Sequence, residues 1–278
     1  MRALICRRAR ASAALPELAT ERKGLVATGA GADTGPMNAQ PARPSISVVI
    51  PVKDDAELLE RCLGALRAQT DRPDEVVVVD NGSVDATREV ATRGGAVCVT
   101  ERRPGIPAAS AAGYDAATGD VIARLDADSV PPDDWVARAR GLRRGCGLAA
   151  LTGPGEFTSL PRPLARAAHV AYMRSYFALF RALLRRPPLF GSNFAIRREA
   201  WRAARGRTHR DDPNVHDDLD LSFALSPDAR VAVRDELRVA ISARPFAQPL
   251  GFLRRVWLGV RTVVVNRRRI PLVRARAR

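Results

Sequence analysis

Carboxylates in this 278-residue chain concentrate where β-branched runs end. Asp54 and Asp55 follow the run 46–52, Asp80 closes 75–80, and Asp126 and Asp128 follow 121–125. Any one of them alone reads as a helix cap after a strand. Three such ends together set like charges along one sheet edge, where a cation relieves their repulsion. Leu125-Asp126-Ala127-Asp128-Ser129 is the most informative segment. At a strand's end, Asp-x-Asp sends one carboxylate toward a ribose or hydroxyl and the other toward a metal. Oxygen donors of this kind suit Mg²⁺ or Mn²⁺ bridging to diphosphate oxygens. The tripeptide alone fits a turn equally well, and its position after a buried strand is what favours the metal.

These positions need a scaffold, and the hydrophobic pattern specifies one. Ile46-Ser47-Val48-Val49-Ile50-Pro51-Val52 and Glu75-Val76-Val77-Val78-Val79-Asp80 read as buried parallel strands. Between them, residues 56–68 place Leu58, Leu59, Cys62, Leu63 and Leu66 on one helical face. Ser83 caps a helix running to Arg93, and residues 96–100 and 121–125 supply further strands. Residues 107–118 and 131–144 read as helices. This alternation predicts an α/β fold, a Rossmann-like and mostly parallel sheet flanked by helices. Past Leu151 the pattern loosens into a long amphipathic helix over 162–186, a short helix around Trp201 and an acidic cluster at 211–220. Short strands near Val231 and at 239–242 close the domain.

The net charge of +15 suggests a nucleic-acid binder until it is divided by region. Residues 1–44 carry +4, residues 244–278 carry +10 with ten arginines and no acid, and the middle nets only +1. The expected organisation is a disordered leader over 1–44 (or an extension upstream of a start at Met37), one domain over 45–243, and a basic helical or disordered tail over 244–278. Basic residues are not interleaved with aromatics across that domain, which argues against nucleic acid as a partner. No uninterrupted apolar run reaches the length of a spanning helix. Cys6, Cys62, Cys98 and Cys146 are far apart and lack metal or disulfide spacing, so they read as reduced thiols of a cytoplasmic protein.

The first strand with Pro51, the turn Asp80-Asn81-Gly82-Ser83 with Asp85, and Leu125-Asp126-Ala127-Asp128 resemble the inverting glycosyltransferases of family 2, whose nucleotide-sugar-binding fold is called GT-A. Gly191-Ser192-Asn193-Phe194-Ala195-Ile196-Arg197-Arg198, followed by His216-Asp217-Asp218-Leu219-Asp220-Leu221, is similar to that family's second half in order and spacing. The resemblance covers residues 45–243. It implies that Pro51, Val52, Lys53, Asp54 and Asp55 approach the nucleobase and ribose of a nucleotide-sugar donor, and that Asp80, in its turn with Asn81 and Gly82, bonds the base. It implies Asp126 and Ala127 at the ribose, with Asp126 and Asp128 serving a metal-bridged diphosphate. Asp218 is then the general base that deprotonates an acceptor hydroxyl, with Asp217 the second choice.

An inverting transfer is a single in-line displacement. It needs a base on the acceptor side and charge neutralisation on the leaving diphosphate. Like-charged neighbours at 217 and 218 raise one pKa toward the working range, and an adjacent metal acts the other way. His216 reads as a hydrogen-bonded loop histidine, or as a further metal ligand. Gly191-Ser192-Asn193 reads as a turn lining the acceptor or diphosphate pocket, or as a tight turn before a strand.

The chain departs from the family at Ala109-Ser110-Ala111-Ala112-Gly113, where many relatives carry Arg-Asn, and at Lys53-Asp54, where an aromatic-Asn is usual. Arg254-Arg255-Val256-Trp257 lacks the processive synthases' signature, which favours single addition to a lipid-linked or small-molecule hydroxyl. A sugar-phosphate nucleotidyltransferase is the enzymatic rival; the acidic, glycine-free Pro51-Val52-Lys53-Asp54-Asp55 counts against it. Arg166, Arg174, Arg181 and Arg185 form a stripe opposing Leu164, Ala168, Ala171 and Ala178. With Arg267-Arg268-Arg269, Arg274, Arg276 and Arg278, it suits either peripheral contact with an anionic inner membrane face or a solvated surface in an arginine-rich chain.

Overall fold

A computed structural model describes residues 43–142, 146–158, 162–242 and 249–270. All but Arg43 and Pro44 of the expected leader lies outside the described residues, as do Arg274, Arg276, Arg278 and the side chains of Leu164, Arg166 and Ala168.

Strands β1 (Ile46–Val52), β2 (Glu75–Asp80), β3 (Val97–Thr100) and β4 (Val121–Leu125) form where β-branched residues repeat. They pair in parallel in the order β3-β2-β1-β4. Every residue of β1 and of β4 is buried, as strands covered on both faces require. Helices α1 (Ala56–Arg67), α2 (Thr87–Arg93), α3 (Ile106–Ala116) and α4 (Trp135–Arg140) connect and cover them. The register sets Val52 level with Asp80 and Val49 level with Arg124, so the carboxyl ends of β1, β2 and β4 open on one side.

The far half of the sheet is mixed. β7 (Asn193–Arg197) runs antiparallel to both β4 and β5 (Ala150–Thr152), and β8 (Val231–Val233) pairs with β5. A separate pair joins β6 (Gly155–Phe157) to β9 (Val239–Ile241). β5 and β6, three residues each, have no counterpart in the sequence pattern because alternation cannot be read over so short a run.

Three helices complete the unit beside α6 (Arg198–Ala204): α5 (Arg162–Leu184), α7 (Asp217–Ala224) and α8 (Pro249–Val265). The face of α5 that packs is Met173, Tyr176, Phe177, Phe180 and Leu184, whereas Ala171 and Ala178, expected opposite the arginines, are exposed. Bulky aromatics outcompete alanine for burial because they remove far more apolar area from water. The segment after 243 was expected as a tail outside the domain. Instead α8 buries Leu258 and Thr262 and is followed by buried Asn266 and Ile270. Thr262 Oγ1 accepts the His216 N–H at 2.8 Å, and Asn266 Nδ2 donates to Asp220 at 2.8 Å, so α8 is fastened to the start of α7.

Candidate active site

Alternation along β4 puts Arg124 and Asp126 on one face of the sheet. Arg124 is 1% exposed, a cation in the middle of a buried strand. Such burial is tolerated only when charge partners surround the guanidinium. Its Nη2 lies 2.6 Å from Asp126 Oδ1 and its Nη1 lies 2.5 Å from Asp217 Oδ2. Nη1 also donates to Ser110 Oγ at 2.9 Å and to Tyr114 Oη at 3.1 Å. The sequence pattern had already placed Asp126 and Asp217; Arg124 joins them, and its signal was a charged residue inside an otherwise apolar strand.

Asp217 and Asp218 are the first two residues of α7, where the unpaired amides of a helix N-terminus favour negative charge. Adjacent on the helix, they meet opposite environments. Burial alone would raise the Asp217 pKa, but the Arg124 charge and hydrogen bonds from Ser110 (2.7 Å) and Arg124 outweigh it and hold the carboxyl below its ordinary value. At Asp218, burial, followed by the charge of Asp217, pushes the pKa above the ordinary carboxylate value. The opposing charge there is His216, which lowers the pKa without outweighing the rest, as do hydrogen bonds from Gly191 N–H (2.7 Å) and Leu219 N–H (2.7 Å). Tyr176 Oη donates to Leu189 O at 2.7 Å and lies 3.5 Å from Asp218 Oδ2. Gly191 packs tightly on Asp218: a Cβ there would sit 3.1 Å from Asp218 Oδ2, so the carboxylate would have to shift to admit it.

Asp126, Asp128, Gly191, Ser192, His216, Asp217 and Asp218 line one cleft of ≈ 1380 Å³. Ser192 Oγ donates to the second oxygen of Asp126 at 2.5 Å, tying the β7 turn to the end of β4. Asn193, expected at the same pocket, does not line it. It is fully buried, accepts from Trp135 Nε1 at 2.8 Å and donates to the carbonyls of Pro154 and Leu237. It is the first residue of β7, and strand alternation turns it into the core.

Among the described residues, no three His, Cys, Asp or Glu side chains gather closely enough to hold a metal by themselves. Asp126 and Asp128, from one turn, offer hard oxygen donors and leave the other positions to diphosphate and water, which fits Mg²⁺ or Mn²⁺. His216 does not join them as expected of a further ligand. It lines the cleft with its Nε2 3.0 Å from the Arg255 carbonyl, so that nitrogen donates.

The remaining expected residues form a neighbouring cluster at the ends of β1 and β2. Pro51 and Val52 are buried in β1, Lys53 is exposed, and Asp54 adopts a left-handed φ of 53°. That strained conformation is held by Asp54 N–H to Ser83 Oγ (3.0 Å) and Val84 N–H to Asp54 Oδ1 (2.7 Å). Asp80 accepts from Ser83 N–H at 2.9 Å and lies 3.3 Å from Arg88. Asp85 accepts from Ala56 N–H at 3.0 Å. Asn81 was expected at the base but spends its side chain on the 101–105 loop. It donates to Glu101 O and Arg103 O and accepts from Gly105 N–H at 2.9 Å. Through Gly105, which lines the cleft, this cluster adjoins the carboxylates.

Comparison with known proteins agrees with this arrangement. The model of the family described as Glycosyl transferase family 2 matches residues 47–201, more than half of the chain. Glycosyltransferase AglE of Haloferax volcanii is 35% identical over 123 residues, covering 41% of this chain and 40% of that protein. The undecaprenyl-phosphate 4-deoxy-4-formamido-L-arabinose transferase of Pectobacterium carotovorum is 36% identical over 105 residues, 34% of this chain and 32% of that protein. The matched stretch thus spans well under half of these relatives' own length.

Among solved structures, glucosyl-3-phosphoglycerate synthase of Mycobacterium tuberculosis, in complex with Mn²⁺, UDP and glucosyl-3-phosphoglycerate, superposes with a TM-score of 0.55 over 80% of each chain at 23% identity. Mannosyltransferase PcManGT of Pyrobaculum calidifontis, in complex with GDP-Man and Mn²⁺, gives 0.60 over 77% of this chain and 61% of that one, also at 23%. These neighbours carry the GT-A fold implied by the family resemblance. With strands, turn and paired carboxylates in the family's order, the chain belongs to glycosyl transferase family 2.

Proposed function

We propose that the protein transfers a sugar, with inversion, from a nucleoside-diphosphate donor to an acceptor hydroxyl, and that Asp218 is the general base. The observation that carries this is the asymmetry of the adjacent carboxylates: Arg124 clamps Asp217 in its charged form, while buried Asp218 is left with a raised pKa on the wall of the same cleft. A base poised above the ordinary carboxylate range takes a proton more readily near neutral pH. In the proposed step the acceptor O–H gives its proton to Asp218, the oxygen bonds the anomeric carbon, and the carbon–phosphate oxygen bond breaks with its electron pair on the departing nucleoside diphosphate.

Asp126 and Asp128 would hold a divalent cation, which when bound supplies charge neutralisation for that diphosphate. Arg124 and Ser192 hold Asp126 in place for this. Mn²⁺ in the structures of both solved neighbours supports a metal without choosing between Mn²⁺ and Mg²⁺ here. In this reading Asp54, Asp80 and the β1 end would hold the nucleoside. The similar proteins differ in acceptor, phosphoglyceric acid being bound in one and undecaprenyl phosphate named in another, so the acceptor must be argued from this chain's own cleft.

The test is Asp218→Asn, assayed for nucleoside-diphosphate release and, separately, for donor binding by thermal shift. A turnover loss of ~10²–10⁴ with donor binding retained is expected. Unchanged turnover, or release of pyrophosphate by the wild type, defeats the assignment.

A further inference from the structure

We propose that the acceptor is a bilayer lipid: its hydroxyl-bearing head meets Asp218, its apolar chain lies between α5 and α8, and α8 rests on an anionic membrane surface. The chemistry at Asp218 rests on the transferase reading above; the docking does not.

The cleft is lined by two unlike sets of side chains. One is Asp126, Asp128, Asp217 and Asp218. The other is Leu179, Phe180 and Leu183 from α5 with Val260, Val263 and Val264 from α8. Its ≈ 1380 Å³ exceeds the roughly 300–1,000 Å³ of ordinary small-molecule pockets. A nucleotide-sugar alone would use the charged groups and leave the apolar ones facing water. A peptide against them would bring amides and carbonyls to hydrocarbon, whereas a lipid chain brings none.

The apolar surface continues outward. Leu253, Trp257, Val260 and Val264 recur along α8 at spacings of four, three and four, one helical face, and are 61%, 51%, 58% and 49% exposed. Leu179 on α5 is 58% exposed beside the same opening. Large apolar side chains grouped this way mark a contact surface rather than ordinary solvent exposure.

Charge identifies what it contacts. Neither α5 nor the stretch 249–270 contains an Asp or Glu, while the latter holds Arg254, Arg255, Arg261, Arg267, Arg268 and Arg269. Arg254 and Arg255 line the cleft itself. Arginines beside an exposed apolar stripe are the pattern of a helix lying in the headgroup layer of an anionic bilayer. Val260 and Val264 belong both to that stripe and to the cleft lining, so a lipid entering there stays against apolar side chains.

Tryptophan emission tests this on the full chain. Of three tryptophans, Trp135 and Trp201 are 0% and 2% exposed, so changes on vesicle binding report Trp257. Vesicles of phosphatidylglycerol and phosphatidylcholine should shift emission to the blue, and phosphatidylcholine alone should do so with affinity at least about tenfold lower. Vesicles with brominated acyl chains should quench the signal, because Trp257 reaches the chains. Leu179→Asp with Val260→Asp should abolish binding, and Val97→Asp, at an equally exposed valine on the sheet's edge strand, should leave it intact. Binding that is unquenched by bromine, equal for both lipid mixtures, or unaffected by the double change overturns the proposal. Nucleoside-diphosphate release with a soluble acceptor as efficient as with vesicle lipid overturns the substrate assignment. Chain-quenched binding by a protein that transfers no sugar refutes the transferase reading and leaves the docking standing.

Discussion

At the scale of single residues, the site sets a buried cation among several anions. Arg124 stands between Asp126 and Asp217, and removing it leaves Asp217 buried and unpaired. Arg124→Met is expected to cost about 3–5 kcal/mol in denaturant unfolding, the usual penalty for breaking a buried pair. Adding Asp217→Asn to it should return part of that loss; a fully additive double mutant would show that the pair is not coupled.

The raised pKa of Asp218 gives two signed expectations. Turnover should rise with pH through an ionisation above the ordinary carboxylate range, and Asp218→Asn should remove that acid limb. For stability, the protonated form of Asp218 is the one the fold favours. Its contribution is therefore complete at low pH and lost as pH rises through the folded pKa, so Asp218→Asn should be more stable than wild type at neutral pH, with the gap closing on acidification. Asp217 runs the other way: its contribution is present above the unfolded value and is lost as pH falls through its lowered folded pKa. Melting temperatures of the two Asn variants across pH separate these signs.

At the scale of elements, the placement of Asp217 and Asp218 depends on what touches α7 and on how tightly the helices sit on the sheet. Asn266 bridges α8 to buried Asp220, which also accepts from the His209 amide at 2.6 Å. Asn266→Ala removes one donor from a buried carboxylate and should lower stability by about 1–3 kcal/mol. Its effect on turnover, read beside Asp220→Asn, measures how far α8 steadies the start of α7, where the proposed base sits. α3 lies so close to the sheet that a Cβ on Gly113 would stand 2.4 Å from Val49 Cγ1 and 2.8 Å from Val79 Cγ2. Alanine would gain about 1 kcal/mol of helix propensity, but the valines sit in central strands that cannot retreat. Gly113→Ala is expected to be net destabilising, by thermal unfolding.

At the scale of the whole molecule, the sheet brings together groups far apart in sequence. Asp126 follows β4, Ser192 precedes its antiparallel neighbour β7, and Asp217 and Asp218 start a helix whose entry is held by α8. Asp128→Ala should abolish divalent-dependent stabilisation by nucleoside diphosphate in a thermal-shift assay while leaving the metal-free melting temperature near that of wild type. Equal stabilisation with chelator and with Mn²⁺ in the wild type would remove the cation from the reading.

The parallel half of the sheet, the carboxylates at its edge and the pairing of Asp217 with Asp218 were legible in the linear chain. Buried parallel strands must be nearly all β-branched, and their ends must be polar. What only the folded chain decided was which polar groups face the cleft and which face inward. Asn193 and Asn81 look like site residues by position, yet their amides satisfy buried carbonyls. Arg124 looks misplaced in its strand, yet it orders two carboxylates. The role of residues 249–270 was hidden as well, since a run of arginines reads the same whether it trails in solvent or closes an apolar cleft. Hydrophobic periodicity reports what an element buries, not its neighbour across space, and the opposite environments of Asp217 and Asp218 belong to that neighbour.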